Sequence, residues 1–186
     1  MRRFQAELEI PFIYVTHNQE EALTLSSRMA VMHNGKFEQV GPKLDLYYHP
    51  RTRFVASFLG SPNHIQGQIK TINGDAVILD WKGLDLKIPA QKNLNVGDTI
   101  DYFLKHERIL IQAPGKATLA EGDNRMEGIL RDIIFKGQHS AYFVVLQNKE
   151  ELVVNAATEM PDLQIRHPVE ISWPPKAGDA FLAEAH

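Results

Sequence analysis

From Asn63 to Trp173 the chain is a close succession of short strand-like runs, each closed by residues that favour turns. This rhythm limits the fold more than any other feature of the sequence. The runs are Ile65–Ile72, Ala76–Leu79, Leu84–Ile88, Thr99–Leu104, Ile109–Gln112, Met126–Phe135, Ala141–Leu146, Glu151–Val154 and Val169–Trp173. Asn73-Gly74 and Asn148-Lys149 have hairpin-turn composition, Gly97-Asp98 introduces a strand, and Pro114 to Asp123 reads as a connector that splits the region. Strands this short and this evenly spaced specify a small barrel or sandwich. No fixed-period repeat is evident.

Composition then narrows the function. Hydrophobic residues are 44% and charged residues 23% of the chain, enough of each for a packed core and a wetted surface. A net charge of −3 offers no positive field for a nucleic acid backbone, so no nucleic acid partner is expected. There is no cysteine, which excludes disulfide frameworks, Cys-ligated metal sites and thiol nucleophiles. No apolar run approaches the ~20 residues that span a bilayer. Residues 1–10 mix Arg2 and Arg3 with Glu7 and Glu9 and lead into no apolar signal segment. The expected location is cytoplasmic.

The first sixty residues follow another grammar. Ile10–Val15 is a short apolar run without alternation, as in a strand covered on both faces. Asn18–Ser26 reads as a helix, with Glu20 and Glu21 in its first turn and Ala22, Leu23 and Leu25 on an apolar face. Arg28–His33 and Lys36–Val40 flank Asn34-Gly35, the strongest hairpin signal in the chain. Gly41-Pro42 opens a second short helix through Leu44, Leu46 and Tyr47, ended by Pro50. Phe54–Leu59 is a third apolar stretch, and Gly60 and Pro62 beyond it mark a domain boundary. A strand covered on both faces needs parallel neighbours, and almost nothing before Ile10 can supply them. Residues 1–60 are therefore expected to be the last piece of an α/β domain. Without the missing strands, Phe12, Ile13, Val15, Leu23 and Leu25 would be left exposed.

The string Tyr14-Val15-Thr16-His17-Asn18-Gln19-Glu20-Glu21-Ala22 resembles the switch-histidine loop of ABC transporter ATP-binding subunits. Arg28 to Met32, Asn34-Gly35-Lys36 and Gln39-Val40-Gly41 look like the end of that nucleotide-binding domain. Leu46-Tyr47, Pro50, Phe54-Val55-Ala56, Phe58 and Gly60-Ser61-Pro62-Asn63 match the segment that leads into a C-terminal regulatory domain. The combination belongs to importers of sugars, polyamines and ferric iron. Phe103 to Ile109 looks like the family's Arg-Pro-Glu strand, with Lys105 and His106 departing from it. Gly128 to Asn155 resembles the second half of its transport-associated OB (TOBE) domain. The resemblance implies an α+β chain: residues 1–60 as a remnant of the nucleotide-binding domain, and residues 61–186 as an all-β, OB-fold-like regulatory barrel.

The same resemblance assigns His17 as the switch histidine, which contacts the ATP γ-phosphate and helps order the attacking water in a complete subunit. Asn18 replaces the Asp often found after it and keeps a helix-capping side chain. No G-x-x-x-x-G-K-[ST] loop and no Leu-Ser-Gly-Gly-Gln string occurs. Ala76 to Asp80 imitates a Walker B strand, but Trp81 stands where the catalytic Glu belongs, so a β-hairpin strand is the better reading. No cofactor is expected for this chain alone, and ATP and magnesium only for the complete family member. His33, His49, His64, His106, His139, His167 and His186 are scattered and form no ligand set, so no metal is expected. Trp81 and Trp173 are read as buried packing before stacking platforms, and Lys136 to Ser140 as a hairpin turn before an anion pocket.

The implied role is regulatory. The barrel would dimerise with its copy, support the opening and closing of two ATPase subunits, and receive signals from a regulatory protein or small ligand. Transmembrane permease subunits would be partners, with the assembly peripheral at the inner face of the cell membrane. The alternative is a free-standing OB-type protein that binds an oxyanion. An enzyme active in this form is the least favoured reading, for want of a phosphate loop.

Overall fold

Asn18 starts the first regular element, its side-chain oxygen accepting the amides of Glu20 and Glu21 at the head of α1 (Gln19–Leu25). The computed structural model of the chain describes residues 11–116 and 122–183, and it divides into two units between Ser61 and Pro62. Ile10, part of the expected connector (117–121) and His186 lie outside the described residues.

In the first unit, β1 (Arg28–His33) and β2 (Lys36–Pro42) form an antiparallel hairpin closed by Asn34 and Gly35. Both turn residues have positive φ, 49° and 75°, as a tight two-residue hairpin turn requires. Two short helices follow, α2 (Lys43–Tyr48) and α3 (Arg53–Phe58), the latter capped by the Thr52 hydroxyl accepting from the Val55 amide. Met29, Val31, Leu46, Val55 and Leu59 make a small core of their own. The expected strand at Ile10–Val15 does not form over its described part. Residues 11–15 lie outside any strand, with Ile13 95% and Val15 90% exposed. Its apolar run has nothing to pair with, since the sheet of this unit is the β1–β2 hairpin alone.

The second unit is all β, in two five-stranded antiparallel sheets. Its strands are β3 (Asn63–Asn73), β4 (Ala76–Trp81), β5 (Leu84–Pro89), β6 (Thr99–Leu104), β7 (Leu110–Gln112), β8 (Asn124–Phe135), β9 (Ser140–Leu146), β10 (Glu151–Ala156), β11 (Pro168–Trp173) and β12 (Gly178–Leu182). The orders are β12-β6-β3-β4-β5 and β10-β9-β8-β11-β7. The sheets curl in the manner of an OB-type barrel around one core that includes Ile65, Leu79, Tyr102, Leu130, Val144 and Trp173. The Walker B look-alike is the hairpin strand β4, antiparallel to both neighbours.

The two orders are the same pattern written twice, although no repeat is evident from fixed spacing. Asn63, Ile65, Gly67, Ile69 and Ile72 of β3 correspond to Asn124, Met126, Gly128, Leu130 and Ile133 of β8. Both strands carry a bulge one position later, between Ile69 and Thr71 and between Leu130 and Asp132. Gly67 and Gly128 answer one steric demand: a Cβ would lie 2.8 Å from the Asp80 carbonyl oxygen in the first case and 2.7 Å from that of Val145 in the second. The fifth strand of each sheet comes from the other half. β7 leaves the first half to pair with β11, and β12 leaves the second half to pair with β6.

Two side chains join the sheets at equivalent places. Asn63 bridges to the edge strand β10, donating to the Val153 carbonyl at 2.9 Å and accepting from its amide at 2.8 Å. Asn124 does the same to Lys87 of edge strand β5, at 2.9 and 2.7 Å. Lys105 to Ile109 is not the strand that the resemblance implies. It turns through a 3-10 helix at His106–Arg108, and Pro175–Ala177 makes the matching turn before β12. Tyr102 pins that second turn: its buried hydroxyl donates to the Pro175 carbonyl at 3.2 Å and accepts from the Gly178 amide at 3.0 Å.

Candidate functional site

His17 lies in the segment just before α1, and local hydrogen bonds set that segment. The Asn18 amide donates to the Thr16 hydroxyl at 2.9 Å. Thr16 and Tyr14 donate in turn to the Glu21 carboxylate, at 2.8 and 2.9 Å. The Thr16 bond and then the Tyr14 bond hold the Glu21 carboxyl below its usual range, with the nearby His17 adding to the effect. Glu21 in turn raises the Tyr14 phenol. These contacts close a small loop, Tyr14 to Glu21, that presents an exposed imidazole, and the His17 ring makes no hydrogen bond among the described residues. An imidazole held this way is free to donate to an anionic oxygen brought to it.

One residue further on, Gln19 reaches across the unit. Its amide nitrogen donates to the Phe58 carbonyl at 2.6 Å, and its amide oxygen accepts from the Gly60 amide at 3.0 Å. The first bond satisfies a carbonyl at the end of α3 that has no partner within its own helix.

In the second unit the polar groups with the deepest burial are two carboxylates at equivalent positions. Asp101 of β6 is fully buried and meets His64 at 2.7 Å and Gln66 at 3.0 Å. Glu170 of β11 is 1% exposed and meets Arg125, with Gln112 donating at 3.1 Å. Where the first half has His64, the second has Arg125, which cannot serve as a base. The equivalence makes the His64–Asp101 pair a structural ion pair, not half of a catalytic dyad. A cleft of about 330 Å³ opens beside Arg125, lined also by Leu84, Asp85, Met126, Glu127 and Gln147.

The remaining sequence candidates resolve as follows. Trp81 and Trp173 are 2% and 0% exposed, so both are packing residues with no face for a ligand. Lys136 to His139 forms the β8–β9 turn, its ends joined by the Lys136 amide and the His139 carbonyl at 2.9 Å. His33 stacks on Phe54 with centroids 3.9 Å apart. No group of three His, Asp or Glu among the described residues could hold a metal. No helix among them is long and apolar enough to cross a membrane. Sequence reasoning quoted Gln19 without giving it a role and missed the Asn63 and Asn124 bridges. The shared pattern Asn-x-(Ile/Met)-(Gln/Glu)-Gly is the signal that finds the latter pair.

Comparison with known proteins adds three findings. The TOBE domain family matches residues 102–181. The spermidine/putrescine import ATP-binding protein PotA of Nitrosomonas eutropha is 32% identical over 185 residues, 97% of this chain and 50% of that protein. Its namesake in Pseudomonas fluorescens is 33% identical over 187 residues, 100% of this chain and 50% of that protein. The chain thus spans about half the length of the curated relatives it matches. A solved structure of the cytoplasmic molybdate-binding protein ModG, with molybdate bound, superposes with a TM-score of 0.56 at 12% identity, covering 65% of this chain and 96% of that one. At that identity the likeness is one of fold.

Proposed function

The chain corresponds to the C-terminal part of an ABC importer ATP-binding subunit that carries a TOBE domain, and from that premise we propose that it regulates ATP-driven solute uptake. The first unit is the end of the nucleotide-binding domain, and His17 is its switch histidine. The second unit is the regulatory domain, which pairs with a second copy and steadies two ATPase subunits through their cycle. The complete assembly includes transmembrane permease subunits and sits at the inner face of the membrane. The names of the relatives favour polyamines as the solute class.

The observation that carries this reading is the extent of the likeness: the relatives match both units in one alignment, His17 loop and duplicated barrel together. A free-standing oxyanion-binding protein would have no use for the first unit, and that alternative is not favoured. His17 fits its assignment because its ring is exposed and unengaged. ATP and its magnesium ion supply the reacting phosphoryl group and the charge that balances it. What this chain contributes is a positioned imidazole donor, held by the Thr16–Asn18 turn and by Glu21.

The test joins this chain to the first half of the Pseudomonas fluorescens relative and measures ATP hydrolysis by the hybrid subunit. His17→Ala is expected to lower turnover by about 10²-fold or more, the usual loss for one donor at a reacting oxyanion. Turnover by the His17→Ala hybrid equal to that of the parent hybrid would refute the assignment.

A further inference from the structure

The chain leaves the first unit through an unusual corner. Gly60 has φ of +81°, and Ser61, the last residue before the divide, has φ of +44°. A side chain at Gly60 has no room either, because its Cβ would stand 2.9 Å from the Tyr47 hydroxyl. Two successive left-handed residues, one of them not glycine, persist only where neighbours over-determine the backbone. One such neighbour is Gln19, whose side chain grips the chain on both sides of Leu59. Gln19 is also the first residue of α1, two positions after His17, and shares its cap with the loop that presents the imidazole.

We propose that Gln19 is a positioning residue that couples the His17 loop to the Gly60–Ser61 corner. A bidentate amide can hold both bonds only while α1 and the end of α3 keep one relative setting. A shift of the His17 loop that carries α1 must therefore drag the corner or break the grip. A shift of the corner acts back on the loop with equal strength, as any coupling free energy does. What His17 does rests on the function proposed above. The coupling itself does not.

The experiment uses the chain as it stands and reads two sites by NMR: amide exchange at Gly60, and the ring resonances of His17. Gln19→Ala is expected to speed exchange at Gly60 by about tenfold, the loss of one well-made hydrogen bond. Gln19→Glu keeps an acceptor for the Gly60 amide but removes the donor to Phe58, so protection of Gly60 should largely return. The corner is then disturbed by Ser61→Gly, which relaxes a strained residue without adding bulk and so leaves the fold intact. Its effect on the His17 resonances should be plain in the parent chain and absent beside Gln19→Ala. An equal effect in both backgrounds, or none in either, overturns the coupling. Neither result touches the turnover of the hybrid subunit, so failure here and failure of the His17 assignment are told apart.

Discussion

Replacing Asn63 by Ala would cut one of the two bridges that join the sheets of the barrel, and the structure sets the cost. The side chain makes two hydrogen bonds to Val153, both with ordinary geometry, and is 8% exposed. Each bond contributes about 0.5–1.5 kcal/mol net, and a buried backbone group left without a partner costs about 1–3 kcal/mol. Val153 lies on the edge strand β10, with no further strand to take up its amide. Water can reach part of that edge, so the loss should fall near 2 kcal/mol, within that range. Asn124→Ala should cost about the same, since its bridge to Lys87 has the same form. Urea unfolding of the whole chain measures both losses, and amide exchange at Val153 and Lys87 locates them. If each bridge closes its own seam, the double variant should lose the sum of the two to within about 0.5 kcal/mol. A loss below about 0.5 kcal/mol for Asn63→Ala, with Val153 still protected, would refute the view that the side chain closes the barrel.

Four further outcomes are expected. Arg166 holds φ of 70° at the position where the first half has Gly97 at 92°, and both sit opposite the backbone of the equivalent residues Ile69 and Leu130. Arg166→Gly should therefore raise stability by up to about 1 kcal/mol and Gly97→Ala should lower it by about 1–2, the cost of a side chain in the left-handed region, both read from thermal unfolding. Gly128→Ala would press its Cβ against Val144 at 2.6 Å and against the Val145 carbonyl, and a loss of about 1–3 kcal/mol is expected in the same assay. Tyr102→Phe removes the hydroxyl that holds Pro175 and Gly178; a loss of about 1–3 kcal/mol, with faster exchange at the Gly178 amide, would show that this hydroxyl secures β12. Burial holds the His106 imidazole below its usual range, aided by Lys136, His139 and Lys105 and opposed by Glu107. The folded chain thus binds that proton less readily than the unfolded chain. Its stability should fall as pH drops below about 6.5, and His106→Gln should remove that part of the fall in urea midpoints.

The residues most legible in the sequence were those whose structure is decided locally. Asn34-Gly35 gave the first hairpin because positive φ at both positions is a local demand, and Asn18 and Thr52 cap helices with bonds to their own next turn. Alternation along β3 and β8 places their inward faces without reference to any partner. What was not legible depends on partners far along the chain. The run at 11–15 has the composition of a buried strand, yet composition supplies no neighbour to pair with. β12, Gly-Asp-Ala-Phe-Leu, has weak strand propensity of its own and is a strand because β6 offers it an edge. The duplication escaped a search for fixed spacing because the strands β3 and β8 and the acids Asp101 and Glu170 repeat at different offsets, the loops between them differing in length. At the candidate site, the His17 string was readable as a motif. The grip of Gln19 on Phe58 and Gly60 was not, because nothing near either end of that contact names the other.

The exchange of β7 and β12 between the halves also sets how the barrel must assemble. Neither half can complete its sheet from its own sequence, so neither is a folding unit. The β12–β6 seam forms only after roughly seventy residues of intervening chain have been brought into place. Closing a loop of that length costs entropy before any of the new contacts repay it. Topologies of this kind fold slowly, and an early intermediate would carry an open slot beside β6 that fits the last strand of any copy of the chain. The interlock that ties the finished barrel together thus makes newly made chains vulnerable to one another, and refolding yield should fall as protein concentration rises.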